Sequence, residues 1–148
     1  MRAIVQRVAR AEVSTGGRSL GKIDRGFAVL LGVGRGDTEA DADYILDRII
    51  GLRVFADAAG KMNLSLSAVG GAILVVSQFT LFADASQRRP SFTGAAPPQE
   101  AQRLYEYFLS RAHRSDVSVE QGEFGAEMEL NLVNDGPVTI ILDSRSAV

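Results

Sequence analysis

Between Gly71 and Ser77 the chain reads Ala72-Ile73-Leu74-Val75-Val76, an apolar run without a polar interruption. Alternation of exposed and buried side chains is impossible here, so the run predicts a strand buried on both faces. A second continuous run, Phe27 to Val33, follows the punctuating Gly26 and predicts another strand. Neither run approaches the length of a membrane span. The opening MRAIVQRVARAEV has a charge within every short apolar stretch, which excludes a signal-peptide core and leads us to expect a soluble, cytoplasmic protein.

The remaining elements follow from spacing and turn chemistry. Ile4, Gln6 and Val8 alternate with Val5 and Arg7 in a β-favouring run; Glu12–Thr15 and Arg18–Ile23 flank Gly16-Gly17, a hairpin signal. Asp37-Thr38 followed by Asp41 resembles a capping box, and Ala42, Ile45, Ile49 and Leu52 recur at helical spacing through Arg53. Asp57–Asn63 reads as a loop, 64–69 is too short to assign, and Asp84–Pro98 is a long, basic, proline-punctuated loop. Pro97-Pro98 introduce a second helix, about Gln99–Arg114, with Leu104, Tyr105, Phe108 and Leu109 on one stripe. Strands are predicted at Val117–Gln121, Met128–Val133 and Val138–Asp143. The whole is a single α+β domain over residues 1–148, a mostly antiparallel, barrel-like sheet with two covering helices.

Composition narrows the chemistry. With no cysteine, thiolate metal sites, disulfides and cysteine nucleophiles are excluded, and His113 is the only histidine. His113 follows Arg111 and precedes Arg114 at the end of the second helix, where positive charge complements the helix dipole, so a structural role is expected. Glu127 and Glu129, two apart in a strand, read as a solvated face rather than a metal site. Gly32-Val33-Gly34-Arg35-Gly36 lacks the Lys-Ser/Thr of a phosphate loop and reads as a strand-to-helix turn. The net charge of −2 conceals blocks of +5 over residues 1–35 and +3 over 88–114, set against −4 over 36–57 and −6 over 115–148. Basic residues are 14 Arg and 2 Lys, which suits either an Arg-preferring genome or a nucleic-acid face.

Two segments carry polar groups at positions suited to a site. Ser77-Gln78-Phe79-Thr80-Leu81 stands where the buried strand ends, and is either a substrate-facing edge or a strand passing from core to surface. Asn134-Asp135-Gly136-Pro137-Val138-Thr139 lies between two alternating strands and reads as a turn, in which the Gly-Pro bond is free to be cis or trans. Thr80 is the most tempting nucleophile, but no adjacent histidine or lysine activates its hydroxyl, so positioning is the preferred role.

At these two segments the chain resembles the D-aminoacyl-tRNA deacylase family, whose motifs of form SQFTL and NxGPxT stand here at Ser77–Leu81 and Asn134–Thr139. The resemblance continues through Ile4–Val8, Gly60–Asn63, Arg89–Phe92 and Phe124–Met128, covering essentially the whole chain. It implies the family's fold and a homodimer in which a cis Gly136-Pro137 pair enters the partner's active site and excludes L-aminoacyl esters, while D-aminoacyl and glycyl esters fit. Arg7 would support that motif together with Asn134 and Thr139. Ser77, Gln78, Phe79 and Thr80 would line the pocket for the terminal adenosine and ester, with Phe124, Gly125, Ala126 and Met128 as its wall. Catalysis would be assisted by the RNA 2′-hydroxyl, glycine mischarged on tRNA-Ala would be a further substrate, and no metal or cofactor would be required. Arg88 and Arg89 are candidates for acceptor-stem phosphates; neither a membrane nor DNA is an implied partner. Two other classes remain open on the residues alone: a non-catalytic RNA- or nucleotide-binding module, and a Ser/Thr esterase.

Overall fold

The computed structural model describes residues 1–146. Strand β1 (Arg2–Thr15) forms the spine of the sheet. One of its edges pairs antiparallel first with β3 (Gly26–Gly32), from Arg2 opposite Gly32 to Val8 opposite Gly26, and then with β2 (Arg18–Ile23). Gly16 and Gly17 both take positive φ in the β1–β2 turn, the geometry a two-residue hairpin demands.

Helix α1 (Glu39–Gly51) follows β3 and leads through a short hairpin of β4 (Phe55–Ala56) and β5 (Met62–Leu64) to β6 (Ala72–Ser77). Thr38 caps α1, with the Asp41 carboxylate accepting the Thr38 backbone N–H at 2.8 Å, as the spacing predicts. Helix α2 (Pro98–His113) then leads to β7 (Ser118–Gln121). The pairs β3–β6 and β6–β7 are parallel. Sequence alternation does not distinguish these pairs from antiparallel ones; the two helices supply the long crossovers that parallel neighbours require. The sheet order is β2-β1-β3-β6-β7, with β8 (Glu129–Asp143) on the other edge of β1. Gly21 of β2 approaches Gln121 of β7 so closely that a Cβ would lie 3.2 Å from its backbone, which nearly closes the sheet into a barrel.

The apolar run of β6 is buried on both sides, as predicted. Ile73 and Val75 join Val5, Phe27, Val29 and Leu31 beneath Ile45 and Ile49 of α1 and Leu104 and Phe108 of α2. Leu74 and Val76 face the other way, against Val8, Val13, Ile23 and Ala28. Each such side chain contributes roughly 1.5–3 kcal/mol by leaving water, so β6 anchors both clusters.

The C-terminal region departs from expectation. Met128–Val133 and Val138–Asp143 are not two strands joined by a turn but two halves of β8, both paired with β1. Val8 stands opposite Asn134 and Gln6 opposite Thr139, so Asp135 to Val138 face Arg7 alone and are extruded as a wide bulge. Because both halves run in the same direction along one neighbour, the chain never reverses.

Candidate active site at the end of the central strand

Where β6 ends, the Gln78 backbone N–H still donates to the Leu31 carbonyl at 2.8 Å, and residues Phe79–Phe82 then coil into one tight helical turn. Glycine makes this turn possible. A Cβ on Gly32 would lie 2.9 Å from the Gln78 carbonyl oxygen, and one on Gly34 would lie 2.6 Å from the Phe82 ring. The glycine-rich segment is therefore the strand-to-helix turn expected, and it also seats the residues after β6.

The turn forms one wall of a cavity of about 770 Å³, to which Ser77, Gln78 and Phe79 contribute. Phe124, Gly125, Ala126, Glu127 and Met128 supply another wall; Leu30, Val76 and Leu130 are further apolar lining residues. The loop before α2 folds over and contributes Phe92 and Ala95 to Pro98. Phe92 meets Phe79 edge to face, with ring centroids 5.2 Å apart and planes at 72°. Arg35 and Glu127 are the charged residues among those lining the cavity.

Tyr105 of α2 holds the wall from behind. Its buried hydroxyl donates to the Val75 carbonyl at 3.1 Å, and its ring packs 5.8 Å from that of Phe124. Burial pushes the phenol up to about 12, so it stays protonated and remains a donor.

Seven of the expected site residues thus converge: Ser77, Gln78, Phe79, Phe124, Gly125, Ala126 and Met128. Thr80 does not line the cavity; its hydroxyl oxygen accepts from the Gln78 side-chain amide. Gly136, Pro137, Asn134 and Thr139 lie outside this cavity, on or beside the β8 bulge. The Gly136-Pro137 bond, undetermined by sequence, is cis, and both residues are exposed. Arg7 grips the bulge, its Nε donating to the Asp135 carbonyl at 3.0 Å while Nη1 donates to the carbonyl of Val54. Gln6 brackets it, donating to the Asn134 side chain and accepting from the Thr139 hydroxyl. Arg88 and Arg89 are exposed on a loop whose ends are clamped by paired backbone hydrogen bonds between Asp84 and Ser91.

Other assignments are refined. Glu127 and Glu129 are both exposed, as expected, but only Glu129 is in a strand: β8 begins there, and Glu127 precedes it on the rim of the cavity. His113 pairs with Gln121 at 2.9 Å on the surface and does not line the cavity, in keeping with its structural reading. Sequence reasoning missed Gln6, Arg35 and Phe92. Gln6 carried a signal as a polar residue within an alternating strand, and Phe92 lies in the Arg89–Phe92 stretch of the resemblance; Arg35 reaches its place through loop folding. Among the described residues no helix is long and apolar enough to cross a membrane, and no three His, Cys, Asp or Glu side chains converge as a metal site.

The barrel-like α+β sheet carries a polar and aromatic cavity at the end of β6, and the relatives that share this sequence are hydrolases of the deacylase type. The chain belongs to the D-Tyr-tRNA(Tyr) deacylase family, whose model matches residues 4–143. It is 54% identical over 147 residues to a D-aminoacyl-tRNA deacylase of Thermosipho melanesiensis, covering 98% of each chain. With the protein of that name from Dehalococcoides mccartyi it shares 56% identity over 146 residues, covering 98% of this chain and 95% of the relative. A solved structure described as the c-Myc DNA Unwinding Element Binding Protein superposes with a TM-score of 0.90 at 40% identity, covering 97% of this chain and 98% of the other. A probable eukaryotic D-amino acid tRNA deacylase shares the fold, with a TM-score of 0.80 at 17% identity over 95% of this chain and 97% of the other.

Proposed function

We propose that this enzyme hydrolyses the ester joining a D-amino acid, or glycine, to the terminal adenosine of tRNA, including glycine mischarged on tRNA-Ala, and spares L-aminoacyl esters. The observation that carries this reading is the composition of the cavity: Ser77, Gln78 and Phe79 face an aromatic and small-residue wall, and among the described residues no histidine or lysine lines it. Such a site positions an ester, and no histidine stands beside Ser77 to activate its hydroxyl as a nucleophile. An aminoacyl ester needs little more, because the adjacent ribose 2′-hydroxyl orients the attacking water while backbone donors meet the developing oxyanion. Water adds to the carbonyl carbon, and the ribose 3′-oxygen leaves with a proton.

Chiral rejection is assigned to Gly136 and Pro137. Their exposure outside their own chain's cavity suits delivery to a second copy, where carbonyl oxygens placed against the L side-chain direction exclude it by clash. The working form is then a homodimer acting on aminoacyl-tRNA in the cytoplasm.

The test is incubation of the purified protein with matched D-aminoacyl-, L-aminoacyl- and glycyl-tRNA, a small ester, and a D-aminoacyl-tRNA ending in 2′-deoxyadenosine. Loss of the D and glycyl esters alone, with the 2′-deoxy substrate resistant, is expected. Unselective cleavage would identify an esterase, and no turnover an RNA-binding module.

A further inference from the structure

We propose that Arg35 binds the 5′-phosphate of the terminal nucleotide, a subsite separate from the acceptor-stem contacts assigned to Arg88 and Arg89. This rests on the reading that the cavity holds that nucleotide. Arg35 is the cationic side chain among the cavity-lining residues. Three contacts hold it in place: its backbone N–H donates to the Gly94 carbonyl at 3.0 Å, its own carbonyl accepts from Arg145, and its Nε donates to the Thr93 carbonyl at 2.5 Å. Those contacts leave both terminal nitrogens unused, and among the described residues no carboxylate lies within 4.0 Å of the guanidinium. Arg2, Arg7, Arg103, Arg111 and Arg145, by contrast, each face a carboxylate.

A guanidinium anchored through Nε presents its two terminal amino groups as a preset fork, the arrangement that suits two oxygens of one phosphate. Anchoring also removes the entropy that a free arginine loses on binding. Asp37, two residues on, does not cancel the charge, because its carboxylate is buried and already faces the Met1 ammonium and Arg145, each at 2.7 Å. Glu127, also among the lining residues, disfavours an anion elsewhere along its wall. A nucleoside seated between the Phe79 and Phe124 walls carries its phosphate only a few bonds away, at the sugar 5′-position.

The experiment is calorimetric titration of the full chain with adenosine and with 5′-AMP, at matched ionic strength, for the native protein and R35Q. The native protein should bind 5′-AMP roughly ten-fold more tightly than adenosine, as a charged bidentate contact contributes. R35Q should bind both equally, with adenosine affinity unchanged. Equal affinities in the native protein, a 5′-AMP preference that survives in R35Q, or no binding of either probe would overturn the proposal. Hydrolysis of D-aminoacyl-tRNA is read separately. D-selective turnover without a 5′-AMP preference removes Arg35 alone, whereas a preference lost in R35Q without turnover removes the deacylase reading and leaves the nucleotide subsite standing.

Discussion

Arg7 donates from Nε to the backbone carbonyl of Asp135 at 3.0 Å, and its guanidinium stands 3.6 Å from the same residue's carboxylate. One strand residue thereby secures the residue next to the Gly136-Pro137 pair. Replacing it (R7A) removes a largely buried charged donor and frees the bulge. Hydrogen bonds from charged groups contribute about 1.5–3 kcal/mol each, so urea denaturation should show a loss of that order. The ratio of D- to L-aminoacyl-tRNA hydrolysis should fall as well; an unchanged ratio would detach Arg7 from chiral selection.

Gly136 sits at φ +128, where an added Cβ would lie 2.7 Å from Arg7 Nη2 and 3.1 Å from the Val138 backbone nitrogen. Alanine there cannot keep the backbone where it is. G136A should lose roughly 1–3 kcal/mol of stability and should hydrolyse L-aminoacyl-tRNA measurably faster than the native enzyme. Strict D selectivity in a folded G136A protein would refute the rejection role.

Thr80 meets the cavity only through Gln78, whose side-chain amide donates to its hydroxyl. T80A should therefore retain single-turnover deacylation within about ten-fold of native, the loss of one positioning hydrogen bond. Abolished chemistry with intact tRNA affinity would instead make Thr80 a catalytic residue.

Burial raises the Tyr105 phenol to about 12, so the native state holds that proton more tightly than the unfolded chain does. Its stabilisation is complete below the ordinary tyrosine value near 10 and declines as pH rises from about 10 toward about 12. Y105F should lack this alkaline component. At neutral pH it should lose about 1 kcal/mol, a fall of roughly 2–4 °C in Tm, because the Val75 carbonyl loses its side-chain donor. Thermal melts of both proteins from pH 8 to 12 measure the two effects.

Arg88 and Arg89 form no ion pair among the described residues and share the loop that delivers Phe92 to the cavity. Neutralising both should weaken tRNA binding uniformly across sequences and lower the slope of log affinity against log salt by about 2 in magnitude. A slope equal to that of the native protein would place the tRNA backbone elsewhere.

How far the site could be read from sequence depended on whether each residue's neighbours were local. Ser77 to Phe79 were visible because a run without polar interruption must end somewhere, and its end is where polar groups face outward. The capping of α1 by Thr38 and the Gly16-Gly17 hairpin rest on contacts within a few residues and were equally accessible. Phe92 and Arg35 were not, because the loop before α2 brings Phe92 to Phe79, and the Gly94 and Thr93 carbonyls hold Arg35 beside them.

The sequence by itself determined the class of fold and the strand buried on both faces, which follow from periodicity and turn chemistry, and the two motifs, which follow from the family resemblance. Tertiary structure decided the rest. The parallel pairings of β6 depend on two helical crossovers, and the continuity of β8 depends on both its halves pairing with β1. The placement of Gly136-Pro137 on an outward bulge depends on Arg7 and Gln6, more than 120 residues away along the chain. Hydrogen bonds at that separation leave no periodic trace in a single sequence, because their partners are chosen by the folded sheet.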